Sequence, residues 1–366
     1  MKTTKKIVID ARLLGSTTGR YMLKLVLNLE KIDHSNKYFI IIDPKDASLW
    51  RPSSSNFTAI ECRANPYTVR EQLILLNIID KISPDLVHFC MPQQPVLYKG
   101  KKVTTIHDLT LLKTYNSDKN LLIYRFKQFI GFFVFKSVIK NSNQIIVPSN
   151  FTKSEVIKLD KSAKNKINLT YESADVSLGS LKKYSHPFKN FILYVGQQSD
   201  YKNIKRLGDA HQLLLKKYPD LGLILVGKKN ASSKINENYF NNKKYKNIIF
   251  TDFLPDSQKD WLYTQAVAYV FPSLMEGFGL PGLEAMGHGA PVISSSTTCL
   301  PEIYGDAAIY FDPYDIKDMA SKISDVLENE TLRKKMITKG HAQFKKYSWE
   351  RMARETLEIY NKVLEN

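Results

Sequence analysis

Short apolar runs alternate along this chain with longer stretches in which apolar positions recur every three or four residues. The runs Ile7–Asp10, Tyr38–Ile42, Leu86–Phe89, Val103–Ile106 and Gln144–Val147 predict strands in the first half. Phe191–Val195, Leu223–Val226, Ile248–Phe250, Ala268–Phe271 and Val292–Ser294 predict them in the second. Strands that are apolar and β-branched throughout, separated by helix-length segments, imply parallel sheets covered on both faces by helices. The series runs twice, so the fold class is α/β with two doubly wound domains. Between them Asp175–Asn190 holds Gly179, Ser180, Ser185 and Pro187 with weak periodicity, which predicts a linker. The tail from Trp349 to Leu364 places Met352, Thr356, Ile359, Tyr360 and Val363 at helical spacing, an amphipathic helix. The predicted organisation is a domain over 1–180, a second over 190–345, and a helix over 346–366 that packs back on the first. Ligands of such folds bind at the carboxyl edges of the strands.

A length of 366 residues agrees with two domains, and 43% hydrophobic with 24% charged residues agrees with a soluble globular chain. The first residues lead straight into a strand pattern, which predicts no secretory leader, and no run approaches the roughly 18 apolar residues of a membrane span. Cys62, Cys90 and Cys299 are scattered and odd in number, which argues against a disulfide framework and for buried thiols in a reducing cytoplasm. Charge changes the picture more. The net charge is +17, and residues 1–180 carry 27 Lys/Arg against 15 Asp/Glu, a net of +12. An anionic partner for the first half is implied: a membrane surface, a phosphorylated substrate or nucleic acid. A lysine-rich sequence with solvated faces is the plainer alternative.

The most specific local pattern is Glu276-Gly-Phe-Gly-Leu-Pro-Gly-Leu-Glu284, which follows a strand and opens a helix that ends at Gly289. Two carboxylates bracket a glycine-rich turn, so they share a crevice with bare backbone N–H groups. Carboxylates accept hydrogen bonds from sugar hydroxyls and a helix N-terminus tolerates phosphate, a combination suited to polyhydroxylated, phosphate-bearing ligands. Pro281 fits the first helical position. Lys202 lies in a second strand–loop–helix junction, Val195-Gly196 to Asn203, where an ammonium and free N–H groups can hold a diphosphate together. In the first domain Gly15-Ser-Thr-Thr-Gly19-Arg20-Tyr21 follows the first strand and offers either a close ligand approach or an ordinary βα turn. It lacks the dinucleotide fingerprint, so a nicotinamide site is rejected. His107-Asp108 ends another strand, placed to hydrogen-bond a sugar hydroxyl or assist charge separation. No Asp-x-Asp dyad and no metal-ligand histidine spacing occurs, so neither a metal nor another cofactor is expected.

Residues 121–140 are the second unusual feature. On a helix Arg125, Gln128, Lys136 and Lys140 share one sector, with Phe129, Phe132 and Ile139 intruding. Interleaved cations and aromatics suit a helix lying on anionic lipid, or a core helix with snorkelling cations. Residues 99–170 hold 14 basic against 4 acidic side chains, which tilts the reading towards lipid. No nucleic-acid-binding signature accompanies the charge, so nucleic acid is not expected as a partner.

Taken together these residues resemble the retaining glycosyltransferases of family 4, the group 1 glycosyl transferases, with a mannosyltransferase-like branch suggested by Asp10-Ala-Arg12 and Gly19-Arg-Tyr21. Further pieces occur in the family's order: Ile106-His-Asp-Leu109, Val147-Pro-Ser149, Tyr194-Val-Gly196 with Lys202-Asn203, Leu225-Val-Gly-Lys228, the Glu276–Glu284 block, Ala290-Pro-Val292, Leu300-Pro-Glu302 and Asp312-Pro313. The resemblance implies the GT-B architecture, two facing Rossmann-like domains. It further implies that Glu276 contacts the donor sugar, with Gly277, Phe278, Gly279 and Leu280 presenting backbone around it. Glu284 would accept from ribose hydroxyls, Lys202 would hold the diphosphate beside Gly196, and Leu300 would lie near the phosphates. Phe253 and Leu254 would touch the base, and His107 would approach the donor sugar from the first domain. Gly15, Gly19, Arg20 and Tyr21 would form the acceptor side.

Where the family often has an arginine this chain has Gln197, so either Arg206 or backbone compensates or diphosphate binding leans harder on Lys202. The implied activity is metal-independent, retaining transfer of a hexose, mannose first, from a GDP- or UDP-sugar to a glycan or lipid-linked acceptor in surface polysaccharide or glycolipid synthesis. Its place would be the cytoplasm, peripheral at the inner membrane face. A nucleotide-sugar epimerase of the same architecture, or a basic nucleic-acid-binding protein, is the alternative.

Overall fold

A computed structural model describes residues 4–64, 68–176 and 179–365. Residues 177–178 of the expected linker lie outside them. The chain divides into two compact units, one of 1–109, 128–172 and 348–366, the other of 110–127 and 173–347. Residues 110–127 and 173–180 thus fall with the second unit, and the C-terminal residues from 348 fall with the first.

The first unit is built on β1 (Lys6–Asp10), β2 (Lys37–Ile42), β3 (Phe57–Glu61), β4 (Leu86–Phe89), β5 (Lys102–Thr105), β6 (Gln144–Val147) and β7 (Ile167–Leu169). They form one sheet in the order β3-β2-β1-β4-β5-β6-β7, every pairing parallel. Strand order reverses between β1 and β4, the point at which doubly wound sheets leave a crevice at their carboxyl edge. The β1 and β4 strands are almost wholly buried, as continuous apolar runs demand. Helix Trp349–Glu365 packs on helix Gly19–Ile32, burying Met352, Ala353, Thr356, Ile359, Tyr360 and Val363. Each large apolar side chain so covered contributes roughly 1.5–3 kcal/mol. The Tyr360 hydroxyl also reaches His88 Nδ1 at 2.5 Å, tying the C-terminus to β4.

The second unit repeats the plan with β8 (Asn190–Val195), β9 (Leu221–Val226), β10 (Ile248–Phe250), β11 (Ala268–Phe271), β12 (Val292–Ser295) and β13 (Ala308–Phe311). Their order, β10-β9-β8-β11-β12-β13, is again parallel throughout. The switch point lies between β8 and β11, so the loops that follow these two strands share the carboxyl edge. The β3, β7 and β13 strands are absent from the predicted set. All three are edge strands: Phe57-Thr-Ala-Ile-Glu61 and Ile167-Asn-Leu169 are of mixed polarity, as an edge strand permits, whereas Ala308-Ile-Tyr-Phe311 is an apolar run of only four residues.

Helix Leu280–Gly287 opens directly behind the β11 loop. Gly279 caps it in a left-handed conformation at φ +100°, and Pro281 is its second residue, not its first. A Cβ at 279 would stand 2.5 Å from Tyr304 Oη and 2.7 Å from Leu300 Cδ2, so glycine is required there on two counts.

Candidate active site

Two loops meet at the carboxyl edge of the second sheet. The first leaves β8 through Gly196, makes a short turn over Asp200–Lys202 and enters helix Ile204–Leu214 at Asn203, which is left-handed at φ 61°. The Asn203 amide donates to the carbonyls of Pro272 (3.1 Å) and Pro313 (2.8 Å), and Leu274 N–H donates to Tyr201 O at 2.8 Å. These bonds clamp the β8 loop to the β11 loop. They bring together the two residues that the sequence singled out separately: Lys202 Nζ donates to Glu276 Oε1 at 2.5 Å, each side chain 13% exposed.

Burial alone would lower the Lys202 pKa, but the Glu276 carboxylate, with Tyr201 and Tyr194 nearby, holds it well above the ordinary lysine value. The ammonium also lies 5.1 Å from the Tyr201 ring centroid and 5.4 Å from that of Phe271. A cation and an anion thus stand preformed at the switch point, behind the N-terminus of helix Leu280–Gly287.

The other expected donor residues fall around this pair to different degrees. Gly277 and Gly279 are buried, and Phe278 packs its ring edge-on against Tyr347 at 5.5 Å. Leu280 is half-buried at the helix start. Glu284 is 5% exposed, and Oε2 accepts from the Tyr263 hydroxyl at 3.3 Å, so its carboxylate is already oriented. Leu300 is fully buried and its N–H donates to Thr297 O at 3.3 Å. Arg206 donates to Asn203 Oδ1 at 2.9 Å and stacks 5.4 Å from the Tyr314 ring, which makes it a brace for the clamp residue. Phe253 is 76% exposed in the loop after β10, beside half-buried Leu254. Its N–H and that of Lys229 both donate to Asp252 Oδ1, which fixes the loop.

Sequence reasoning missed Gln198. This side chain is 2% exposed with neither amide atom hydrogen-bonded, a costly arrangement that a polar ligand edge would relieve. Nothing in a Gln-Gln pair marks one of them as buried.

In the first unit, the turn after β1 is held from within. Gly15 N–H donates to Asp46 Oδ2 at 3.1 Å, and Gly19 begins the following helix. Arg12 makes a bidentate pair with Asp10 (2.8 Å for both bonds) and a third bond to Glu71 at 2.8 Å, all three nearly fully buried. Arg20 is half-buried. Tyr21, expected on the acceptor side, is 2% exposed. Its hydroxyl shares a 2.9 Å hydrogen bond with Thr105, and its ring lies edge-on to His107 at 4.7 Å. Its place is beneath His107, because the first turn of the helix points that position into the sheet.

His107 itself follows β5, 11% exposed, with Nδ1 2.8 Å from Glu172 Oε1 and Nε2 3.1 Å from Cys90 O. Glu172 was not anticipated. It follows the edge strand β7, and without that strand the sequence does not place it at a carboxyl edge.

Helix Leu121–Asn141 settles the choice between core and surface for its own first half. Leu122, Ile123, Phe126, Phe129 and Phe133 are each more than half exposed, and burial is confined to Gly131, Phe135, Val138 and Ile139 towards the end. It carries four cations and no acidic residue. Among the described residues, no helix is long and apolar enough to cross a membrane.

Known proteins resemble this chain in sequence and in fold. The profile of the family described as glycosyl transferases group 1 matches residues 182–343, which include Lys202, Glu276 and Glu284. The O-antigen chain mannosyltransferase B of Escherichia coli is 30% identical over 275 residues, covering 71% of this chain and 70% of that protein. Among solved structures, sucrose-phosphate synthase of Thermosynechococcus elongatus superposes with a TM-score of 0.77 at 18% identity, covering 98% of both chains. The Anabaena protein HepE, solved with UDP-glucose, gives 0.74 at 15% identity over 98% of this chain and 100% of that one. The architecture is GT-B, and the chain belongs to the group 1 glycosyl transferases.

Proposed function

We propose that this glycosyltransferase moves mannose from GDP-mannose to a glycan or lipid-linked acceptor in surface polysaccharide synthesis, with retention at the anomeric carbon and without a metal ion. The observation that carries the reading is the Lys202–Glu276 pair, held by Asn203 across the switch point of the second sheet. A diphosphate takes over the Lys202 ammonium, and the carboxylate so released accepts hydroxyls of the sugar. Helix Leu280–Gly287 adds the positive end of its dipole, and Glu284, already oriented by Tyr263, accepts from the ribose. Phe253 offers an exposed aromatic face to the base. The mannose assignment rests on the O-antigen chain mannosyltransferase that this chain resembles over most of its length.

In the reaction the bond from the anomeric carbon to the β-phosphate oxygen breaks, and the bond to the acceptor oxygen forms on the same face. The acceptor proton passes to the β-phosphate, and GDP leaves. The protein's part is electrostatic: Lys202 meets the growing charge on the diphosphate, and Glu276 steadies the electron-poor sugar.

We also place the enzyme on the cytoplasmic side of a membrane, docked through the first half of helix Leu121–Asn141. Its exposed phenylalanines supply apolar contact, and its four cations supply attraction to anionic lipid. A thermal-shift screen of GDP, UDP and their sugars identifies the donor, since a ligand of the folded state stabilises it by mass action. Turnover with GDP-mannose and a bacterial membrane extract, with and without EDTA, tests transfer, and NMR of the product tests retention. Stabilisation by UDP alone, loss of turnover in EDTA, or an inverted product overturns the corresponding part.

A further inference from the structure

His107 differs from its neighbour His88 in what its two ring nitrogens meet. His88 Nδ1 meets the Tyr360 hydroxyl at 2.5 Å and Nε2 meets the Thr105 hydroxyl at 2.8 Å. Hydroxyls donate or accept, so His88 is satisfied as a neutral ring, and burial pushes its pKa down to about 3. His107 has no such choice. The Cys90 carbonyl, 3.1 Å from Nε2, can only accept, and so can an ionised Glu172, whose Oε1 lies 2.8 Å from Nδ1. Two acceptors at these distances require a proton on each nitrogen.

The surroundings favour the resulting cation. Glu172 comes from the segment after β7, Asp108 is the chain neighbour, the Cys90 carbonyl directly follows β4, and Tyr21 from helix Gly19–Ile32 lies edge-on to the ring. From helix Asn150–Leu159, Thr152 donates to the His107 carbonyl at 3.3 Å. His88 on β4, its pKa pushed down by burial, adds no competing positive charge. Burial opposes the charge on His107, but the hydrogen bond and charge of Glu172, then Asp108 and the Cys90 carbonyl, raise its pKa above the ordinary histidine value.

We propose that Glu172 is a positioning residue that holds His107 as a doubly protonated imidazolium, so that His107 serves transfer as a fixed cation and never as the base. The assignment of His107 to the transferase site rests on the family resemblance and on the function proposed above, whereas its protonation does not. This division of labour fits a reaction in which the departing phosphate takes the acceptor's proton, leaving the protein no base to supply.

The test is NMR of the full chain labelled with ¹⁵N-histidine, the His107 signals assigned by their loss in His107→Gln. Both ring nitrogens are expected to be protonated at pH 7, with titration above the ordinary value of about 6.5. In Glu172→Gln, whose amide oxygen still accepts from Nδ1, the titration moves down, and kcat with GDP-mannose at pH 7.5 falls on the order of tenfold with KM little changed. Lowering the pH restores part of that loss. A His107 ring that is neutral at pH 7 in the wild type, or one whose titration Glu172→Gln leaves unmoved, overturns the proposal. The wild-type titration alone decides the matter if Glu172→Gln fails to fold. An imidazolium found in a protein that consumes no nucleotide sugar sinks the transferase reading and leaves this one standing.

Discussion

Removing the charge of Lys202 and then the charge of its partner separates catalysis from stability at this site. The Nζ–Oε1 distance is 2.5 Å and each side chain is 13% exposed. Opposite charges about 3 Å apart attract by roughly 5 kcal/mol at an effective dielectric of about 20, and desolvation returns most of it, leaving a coupling of about 1–3 kcal/mol. Lys202→Met leaves the Glu276 carboxylate without its cation. Because that carboxylate keeps some access to water, the cost is about 2 kcal/mol, below the 3–5 kcal/mol of a fully buried pair broken on one side. For a unit of this size each kcal/mol is worth about 2–4 °C, so the melting temperature falls by about 4–8 °C. Adding Glu276→Gln removes the stranded charge and restores most of the loss.

Activity behaves differently. Each single substitution deletes one preorganised electrostatic contact and lowers kcat by roughly 10²-fold or more, and the double variant stays at least as impaired as the milder single one. Scanning calorimetry follows the first quantity and GDP release from GDP-mannose the second. If turnover recovers in the double variant together with the melting temperature, the pair is a structural ion pair and the assignment of the site is wrong.

Three further outcomes are expected. Phe126→Ser/Phe129→Ser/Phe133→Ser, on the exposed half of helix Leu121–Asn141, keeps the wild-type melting temperature but loses co-sedimentation with anionic phosphatidylglycerol vesicles by a factor of 10² or more, since each phenylalanine buried in lipid is worth roughly 1.5–3 kcal/mol; unchanged co-sedimentation removes the docking surface. Phe253→Ala raises the Kd for GDP about tenfold by calorimetric titration, the lower range of a base–aromatic stack, and an unaltered Kd places the base elsewhere. His88 is neutral in the folded state, its pKa pushed down to about 3 by burial and by the charge of His107, against about 6.5 when unfolded. Its contribution to stability is therefore present above pH 6.5 and is lost as the pH falls towards 3, with His211, pushed down to about 4, acting in the same direction. A plot of melting temperature against pH should fall on the acid side in the wild type and fall less steeply in His88→Gln; equal slopes contradict the burial argument.

What the sequence disclosed and what it hid follow from the same physics. Central strands such as Leu86–Phe89 and Ala268–Phe271 are buried on both faces and must read as apolar runs. Edge strands such as Ile167–Leu169 are under no such demand and were invisible. Losing that strand also lost Glu172, whose position matters only once a strand delivers it to the carboxyl edge. The Glu276 block was legible because glycine at 279 and proline at 281 answer local backbone requirements that leave few other choices.

The pairing of Lys202 with Glu276 was not legible, since it depends on Asn203 reaching two carbonyls from distant loops. The burial of Tyr21 beneath His107 was not legible either, because the sequence does not say which way the first turn of a helix is rotated. The helix over 121–141 shows the limit of patterning most plainly. Apolar residues on every side fit both core and lipid, and the pattern alone does not say that Leu122, Ile123, Phe126, Phe129 and Phe133 are exposed.

One contact is decisive, and a crystal structure with GDP-mannose bound reads it directly. The β-phosphate is expected within hydrogen-bonding distance of Lys202 Nζ, with the Lys202–Glu276 bond opened and the Glu276 carboxylate on hydroxyls of the sugar. A nucleotide sugar seated away from these residues, or one bound with the Lys202–Glu276 pair still closed, contradicts it.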